Sequence, residues 1–258
     1  MKTIAALSSL VVAATLSGSV LGASYDISIR GTDAIWLAGR TDLVIPAYTG
    51  TDVPGWPIDR HDFGTPERLA ETAPPVISVT GGDVVKVFDP AVGGVSFFNG
   101  FGAPLYGPEG NAPTSSILSL GGISAYLGTQ GALVGVFLDN TIPDAAPAPV
   151  ALDFQSAASR DFTSLSPGLG QIFFIGDGEN SANILQEFIA PTGATRLFLG
   201  VPDGFGFLGA PGAYDDNDGS YRIRVGVNQN PVPEAGTSVA SLLMASLAGG
   251  AWLRRRKA

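Results

Sequence analysis

Along the chain, short apolar runs alternate with polar residues and are broken by glycine and proline, the period-2 pattern of half-buried strands. Residues 25–30 alternate, 76–79 follow a double proline, and 84–88 follow Gly81-Gly82. Residues 131–139 (GALVGVFLD) are almost continuously apolar and suit a central strand of a sandwich. Shorter runs follow at 171–175, 185–189 and 196–201. The last run, 221–227, sets Tyr221, Ile223, Val225 and Val227 on one face and Arg222 and Arg224 on the other. Between residues 24 and 232 no long 3.6-residue periodicity with caps occurs; the best helix candidate is short, 157–165. The pattern predicts an all-β fold of two packed antiparallel sheets. No linker divides it. Residues 143–149 read as a Pro/Ala loop and 40–75 as a polar, Pro-rich surface arm.

The two ends break this pattern. Lys2 precedes an apolar, Ala- and Ser-rich stretch over 4–21, and Leu21-Gly22-Ala23 offers small residues for cleavage. Residues 1–23 therefore read as a secretory signal peptide, with the mature chain starting near Ser24. At the other end Val232-Pro233-Glu234-Ala235 precedes an apolar run over 239–253, closed by Arg254, Arg255, Arg256 and Lys257. This is the order of a short membrane-inserting helix stopped by a cationic cluster held on the cytoplasmic side. Four segments are expected: 1–23 signal, 24–77 N-terminal arm of the sandwich, 78–230 its main body, 231–258 sorting tail.

Composition narrows the chemistry. The chain has no cysteine and a single histidine, His61, so disulfides, iron–sulfur clusters, thiol nucleophiles and multi-His metal cages are excluded. Gly and Pro number 35 and 19, roughly a fifth of the 258 residues, which favours turns over long helices. The formal charge is −9. Setting aside the two processing segments leaves 9 basic against 22 acidic residues in 24–232, a net of −13. Such a surface does not bind nucleic acid through phosphate contacts.

The acids are partly concentrated. Val201-Pro202-Asp203-Gly204 is followed by Ala213-Tyr214-Asp215-Asp216-Asn217-Asp218-Gly219-Ser220-Tyr221, which places four Asp within 203–218. Like charges this close repel unless solvent or a cation offsets them. Calcium takes six to eight oxygens from carboxylates, amides and backbone carbonyls, and the loop offers all three. It is not an EF-hand: with Gly219 at the sixth position, the first would be Tyr214 and the twelfth Val225. A solvated acidic hairpin is the other reading of the same residues.

Both features carry family resemblances. The Pro-Glu, apolar run and basic end resemble the PEP-CTERM sorting signal, also called the ice-binding protein C-terminal domain; Ala235 replaces the second proline of Pro-Glu-Pro. The resemblance implies recognition by an exosortase, a transient membrane anchor, and delivery to the cell envelope or the extracellular space. Residues from about 78 to 227 resemble the calcium-dependent galactophilic lectins of bacteria. The resemblance rests on Asp203 at a strand end, the segment from Tyr214 to Tyr221, the turns Phe101-Gly102-Ala103-Pro104 and Tyr106-Gly107-Pro108-Glu109-Gly110, and the strand start Gly131-Ala132-Leu133-Val134. It implies a lectin-like, jelly-roll type sandwich whose calcium is held by the side chains of Asp203, Asp216 and Asn217 and by the carbonyls of Phe101 and Ala213. Ligand contacts would come from Asp203 and Asn217; the residues themselves add Phe205 and Phe207, which alternate with glycine beside Asp203 in a loop extra to the family. Asp216 stands where the family has Asn. Asn111-Ala112-Pro113-Thr114 stands where it has the sugar-contacting His-Pro-x-Gln.

The expected function is non-enzymatic binding of carbohydrate or exopolysaccharide at the cell surface, with calcium in the site. A structural matrix or biofilm component with a purely structural calcium is the alternative, and a glycoside hydrolase the third reading. His61 reads as an exposed loop residue and Trp36 as core.

Overall fold

The structure, a computed structural model, describes residues 22–40, 45, 71–97, 104–144 and 147–229. The signal segment up to residue 21, most of the arm with Trp56 and His61, Phe101, and the sorting tail with Pro233, Glu234, Arg254, Arg255 and Arg256 lie outside the described residues.

Within them the chain is predominantly β. In chain order the strands are β1 (Ala23–Arg30), β2 (Val76–Ser78), β3 (Val84–Ser96), β4 (Asn111–Ile117), β5 (Tyr126–Gln130), β6 (Val134–Leu138), β7 (Ser164–Leu165), β8 (Ile172–Phe174), β9 (Glu187–Ile189), β10 (Arg196–Gly200), β11 (Leu208–Gly209) and β12 (Asp218–Val227). They form three sheets, ordered β1-β12-β3-β9-β7, β2-β10-β6-β8 and β11-β4-β5. All pairings are antiparallel except the two-residue contacts β7–β9 and β11–β4.

The sheet containing β6 is the middle layer. On one face Phe137, Phe173, Leu197 and Leu199 meet Ile29, Val85, Val87, Ile223 and Val225 of the first sheet. On the other, Val134, Val136, Leu138, Ile172 and Phe198 meet Ile117, Tyr126 and the buried turn Ile35–Leu37. Every residue of β6 is buried, because alternate side chains serve two different cores. That is the physical content of its unbroken apolar run. Trp36 is fully buried and donates its indole N–H to the Ser124 carbonyl at 3.1 Å. Gly135 makes room in β6: a Cβ there would stand 2.6 Å from the Phe173 ring.

β12 is buried at Tyr221, Ile223, Val225 and Val227 and exposed at Arg222 and Arg224. β3 extends past residue 88 through Asp89-Pro90 because the ladder with β12 is irregular there. Arg222 faces Val92 and Arg224 faces Asp89, so two residues of β3 stand against Ile223. A bulge tolerates the missing proline N–H. β4 likewise carries Pro113 at a register irregularity between Asn111 and Thr114. The 157–165 helix is a single turn, Ala157–Arg160, with the Ser156 hydroxyl accepting from the Ser159 N–H at 3.0 Å. Phe162 then packs against Phe154 and Phe188, and the chain continues as β7. No helix among the described residues is long and apolar enough to cross a membrane.

Candidate functional site

The acidic loop lies where β10 runs out and β12 begins. After β10, Val201 bridges to Ala34 in parallel: its N–H donates to the Asp33 carbonyl at 2.9 Å, and its carbonyl accepts the Ile35 N–H at 3.3 Å. The chain then turns inward at Asp203, which is 2% exposed. Its Oδ1 accepts the Gly204 N–H at 2.7 Å, and its carbonyl accepts the Gly212 N–H at 3.1 Å, closing the 204–211 loop. Oδ2 is sealed from solvent.

The second half of the site is a 3-10 turn, Tyr214–Asp216, opened by Ala213 and closed by Asn217. Ala213 has φ 62° and ψ 19°, the left-handed region that costs a residue with a Cβ about 1–2 kcal/mol. Strain of this kind persists where the surroundings over-determine it. Tyr214 is the hub. Its buried hydroxyl donates to the Val201 carbonyl at 2.8 Å and accepts the Asp203 N–H at 3.1 Å. Its own carbonyl accepts the Asn217 N–H at 3.2 Å. Burial, then the Asp203 carboxylate, hold this phenol well above its ordinary pKa, so it remains a donor. One residue, through its hydroxyl and its backbone carbonyl, thereby fixes the Asp203 turn relative to Asn217.

Asn217 is 1% exposed. Its Nδ2 donates to the Gly31 carbonyl at 2.9 Å. Its Oδ1 is sealed from solvent and has no hydrogen-bond partner among the described residues. Leaving such an acceptor unmatched costs about 1–3 kcal/mol. One Oδ1 of Asp216 is also sealed. The structure thus withdraws from water one oxygen each of Asp203, Asp216 and Asn217, the three side chains singled out in the sequence. Asp218 is half-buried at the start of β12. No three His, Cys, Asp or Glu side chains gather as a metal cluster among the described residues. The candidate set is two carboxylates with amide and carbonyl oxygens, all hard donors suited to a hard cation.

The two phenylalanines separate. Phe205 is 43% exposed, whereas Phe207 is buried and meets the Phe97 ring edge-on at 5.5 Å. Phe207 belongs to the core, and only Phe205 is presented at the lip of the loop. Leu208 and Leu118 are exposed nearby, joined through the β11–β4 contact.

Three features were not visible in the sequence reading. Gly31 gives the site a contact with the N-terminal strand; a Cβ there would stand 2.7 Å from Val95 and 3.1 Å from the Asn217 Cβ. Asp33 is buried and saturated: it accepts from the Arg30 N–H and guanidinium and from the Thr72 hydroxyl. The Arg-x-x-Asp spacing was the available signal. The third is a carboxyl pair away from the loop. Glu109 Oε1 accepts the Asp177 N–H at 3.0 Å. Burial of the carboxyl, then the adjacent Asp177 charge, push Glu109 up to about 7, against the Asp177 N–H and the Arg160 cation.

No protein family, curated protein or solved structure matches the chain in comparison.

Proposed function

We propose that the protein is exported and acts at the cell surface as a lectin-like, jelly-roll type sandwich that binds carbohydrate or exopolysaccharide without catalysis. In this reading calcium is held by Asp203, Asp216 and Asn217, with the carbonyls of Ala213 and Phe101, and completes the binding site. The tail from Pro233 to Arg256 serves exosortase recognition and transient anchoring. The observation that carries the metal is the Asn217 Oδ1, fully buried and unmatched among the described residues. A coordinated cation offsets that cost. The strained Ala213 and the fixed Tyr214 hub support the same reading. Phe205, partly exposed beside Asp203, is the ring this reading sets against a sugar.

One observation favours the second reading, a matrix component with structural calcium: Asn217 also anchors Gly31, so a bound ion braces the fold. Calorimetric titration of the purified protein with calcium tests the metal. Binding heat is expected in wild type and its loss in Asp203→Asn; absence of heat in wild type overturns the reading. A glycan array read with calcium present then separates the two roles. Retention of a glycan supports the lectin, and an empty array with calcium bound leaves the structural role.

A further inference from the structure

We infer that the calcium site is coupled to the N-terminal strand, so that loading it locks β1 and the segment behind it onto the rest of the fold. This rests on the calcium reading above and adds a regulatory consequence to it.

The argument is geometric. The two stretches supplying the ligands both grip residues 31–35 directly. From the Asp203 side, Val201 exchanges hydrogen bonds with Asp33 and Ile35, two residues before the ligand. From the other side, Asn217 donates its amide N–H to the Gly31 carbonyl, while the Gly31 N–H donates to the Gly219 carbonyl at 3.1 Å. Gly31 follows directly on β1, whose neighbour in the sheet is β12. The 31–34 segment therefore links β1 to the buried turn Ile35–Leu37.

Asn217 is the element that couples. Its two polar atoms differ in state: Nδ2 is bonded to Gly31, and Oδ1 is buried with no partner among the described residues. With Oδ1 unmatched, the side chain is held at one end only. A cation on Oδ1 fixes the rotamer from the other end and polarises the amide, which strengthens the N–H donated to Gly31. Gly31 accepts this contact because it has no Cβ; any side chain would meet Val95 and Asn217. Without calcium, the bond from Asn217 to Gly31 hangs on a side chain anchored at that end alone. With calcium, the same side chain is anchored in the ligand loop as well.

The experiment is hydrogen–deuterium exchange on the full chain, with calcium or with chelator, read on peptides covering 23–37. Calcium binding is checked on the same preparation by calorimetry. Calcium is expected to slow exchange of these amides about tenfold in wild type. Gly31→Ala separates binding from coupling, since it removes no ligand oxygen and sets a Cβ 2.7 Å from Val95 and 3.1 Å from the Asn217 Cβ, which parts the Gly31 carbonyl from the Asn217 amide. Its calcium-dependent protection of 23–37 is expected to fall well below that of wild type. Calcium binding in wild type with unchanged exchange over 23–37 overturns the coupling and leaves the metal site standing. No calcium heat in wild type overturns both. Protection in calcium-bound Gly31→Ala equal to wild type also overturns the role given to this contact. The wild-type comparison decides the matter even if the variant fails to fold.

Discussion

Asn217 and Glu109 both hold uncomfortable polar positions, one through an unmatched buried oxygen and the other through a buried carboxyl, and they differ in how this can be relieved. Asn217 cannot change charge, so the proposed calcium is what would relieve its sealed oxygen. Glu109 can take up a proton. Its carboxyl is pressed against Gly176 and Asp177, and burial with the Asp177 charge raises its pKa from 4.5 to about 7. The folded chain then holds a proton that the unfolded chain has released over that interval. Stability therefore falls as pH rises from about 4.5 to about 7 and is level beyond it. Glu109→Gln keeps the acceptor for the Asp177 N–H and removes the titration. Its unfolding midpoint should equal wild type near pH 4 and exceed it near pH 8. Thermal denaturation at several pH values measures this. Parallel curves for the two proteins across that range would refute the assignment.

At the scale of elements, β6 shows how close packing turns a sequence pattern into a constraint. Phe173 stacks at 5.1 Å on Phe137 and stands 5.1 Å from Phe188, so its ring has no direction in which to yield. Gly135→Ala places a Cβ 2.6 Å from that ring and should cost about 1–3 kcal/mol in chemical denaturation. Gly107→Ala, which meets nothing within 4 Å, should change stability by less than about 0.5 kcal/mol. Equal effects at the two glycines would disprove the packing account.

The strands that were legible in the sequence are those whose side chains face a core. β12 alternates because one face is buried and the other is wet. β6 is apolar throughout because both faces are buried. β4 was not legible: Asn111, Ala112, Pro113 and Thr114 lie half-buried or exposed, and only Ser115 and Ile117 turn inward. Its strand character comes from pairing with β5, which no local pattern reveals. β3 beyond Phe88 was hidden by Pro90, because a bulge is a property of two strands together. The site divides the same way. The acid-rich stretches at 203 and 214–218 stood out by composition and the lectin resemblance pointed to Asp203, Asp216 and Asn217 within them, whereas Gly31 is distant in sequence and acts through a backbone carbonyl. Phe205 and Phe207 read alike in sequence; a φ of 57° at Phe207 accompanies its turn into the core beside Phe97.

For the whole molecule, the question is which part of the acidity is general and which is local. Residues 24–232 carry a net charge of −13, and mutual repulsion on that scale opposes a compact state. Monovalent salt relieves the general part, since the Debye length falls from about 30 Å at 0.01 M to about 8 Å at 0.15 M. One oxygen each of Asp203, Asp216 and Asn217 is sealed from solvent, and screening by bulk ions reaches these far less. Two additive responses follow. With chelator present, sodium chloride should raise the unfolding midpoint gradually and then level off. On that plateau, calcium at about 10 to 100 times its Kd should add roughly 1.4–2.7 kcal/mol by mass action. Magnesium at the same concentration should add much less, because it sheds its water reluctantly and demands a tighter octahedron. Asp203→Asn should retain the sodium response and lose the calcium increment. If sodium chloride alone reproduces the full calcium effect, the acids of 203–218 are a solvated part of the general charge, and the buried oxygens are matched within the protein.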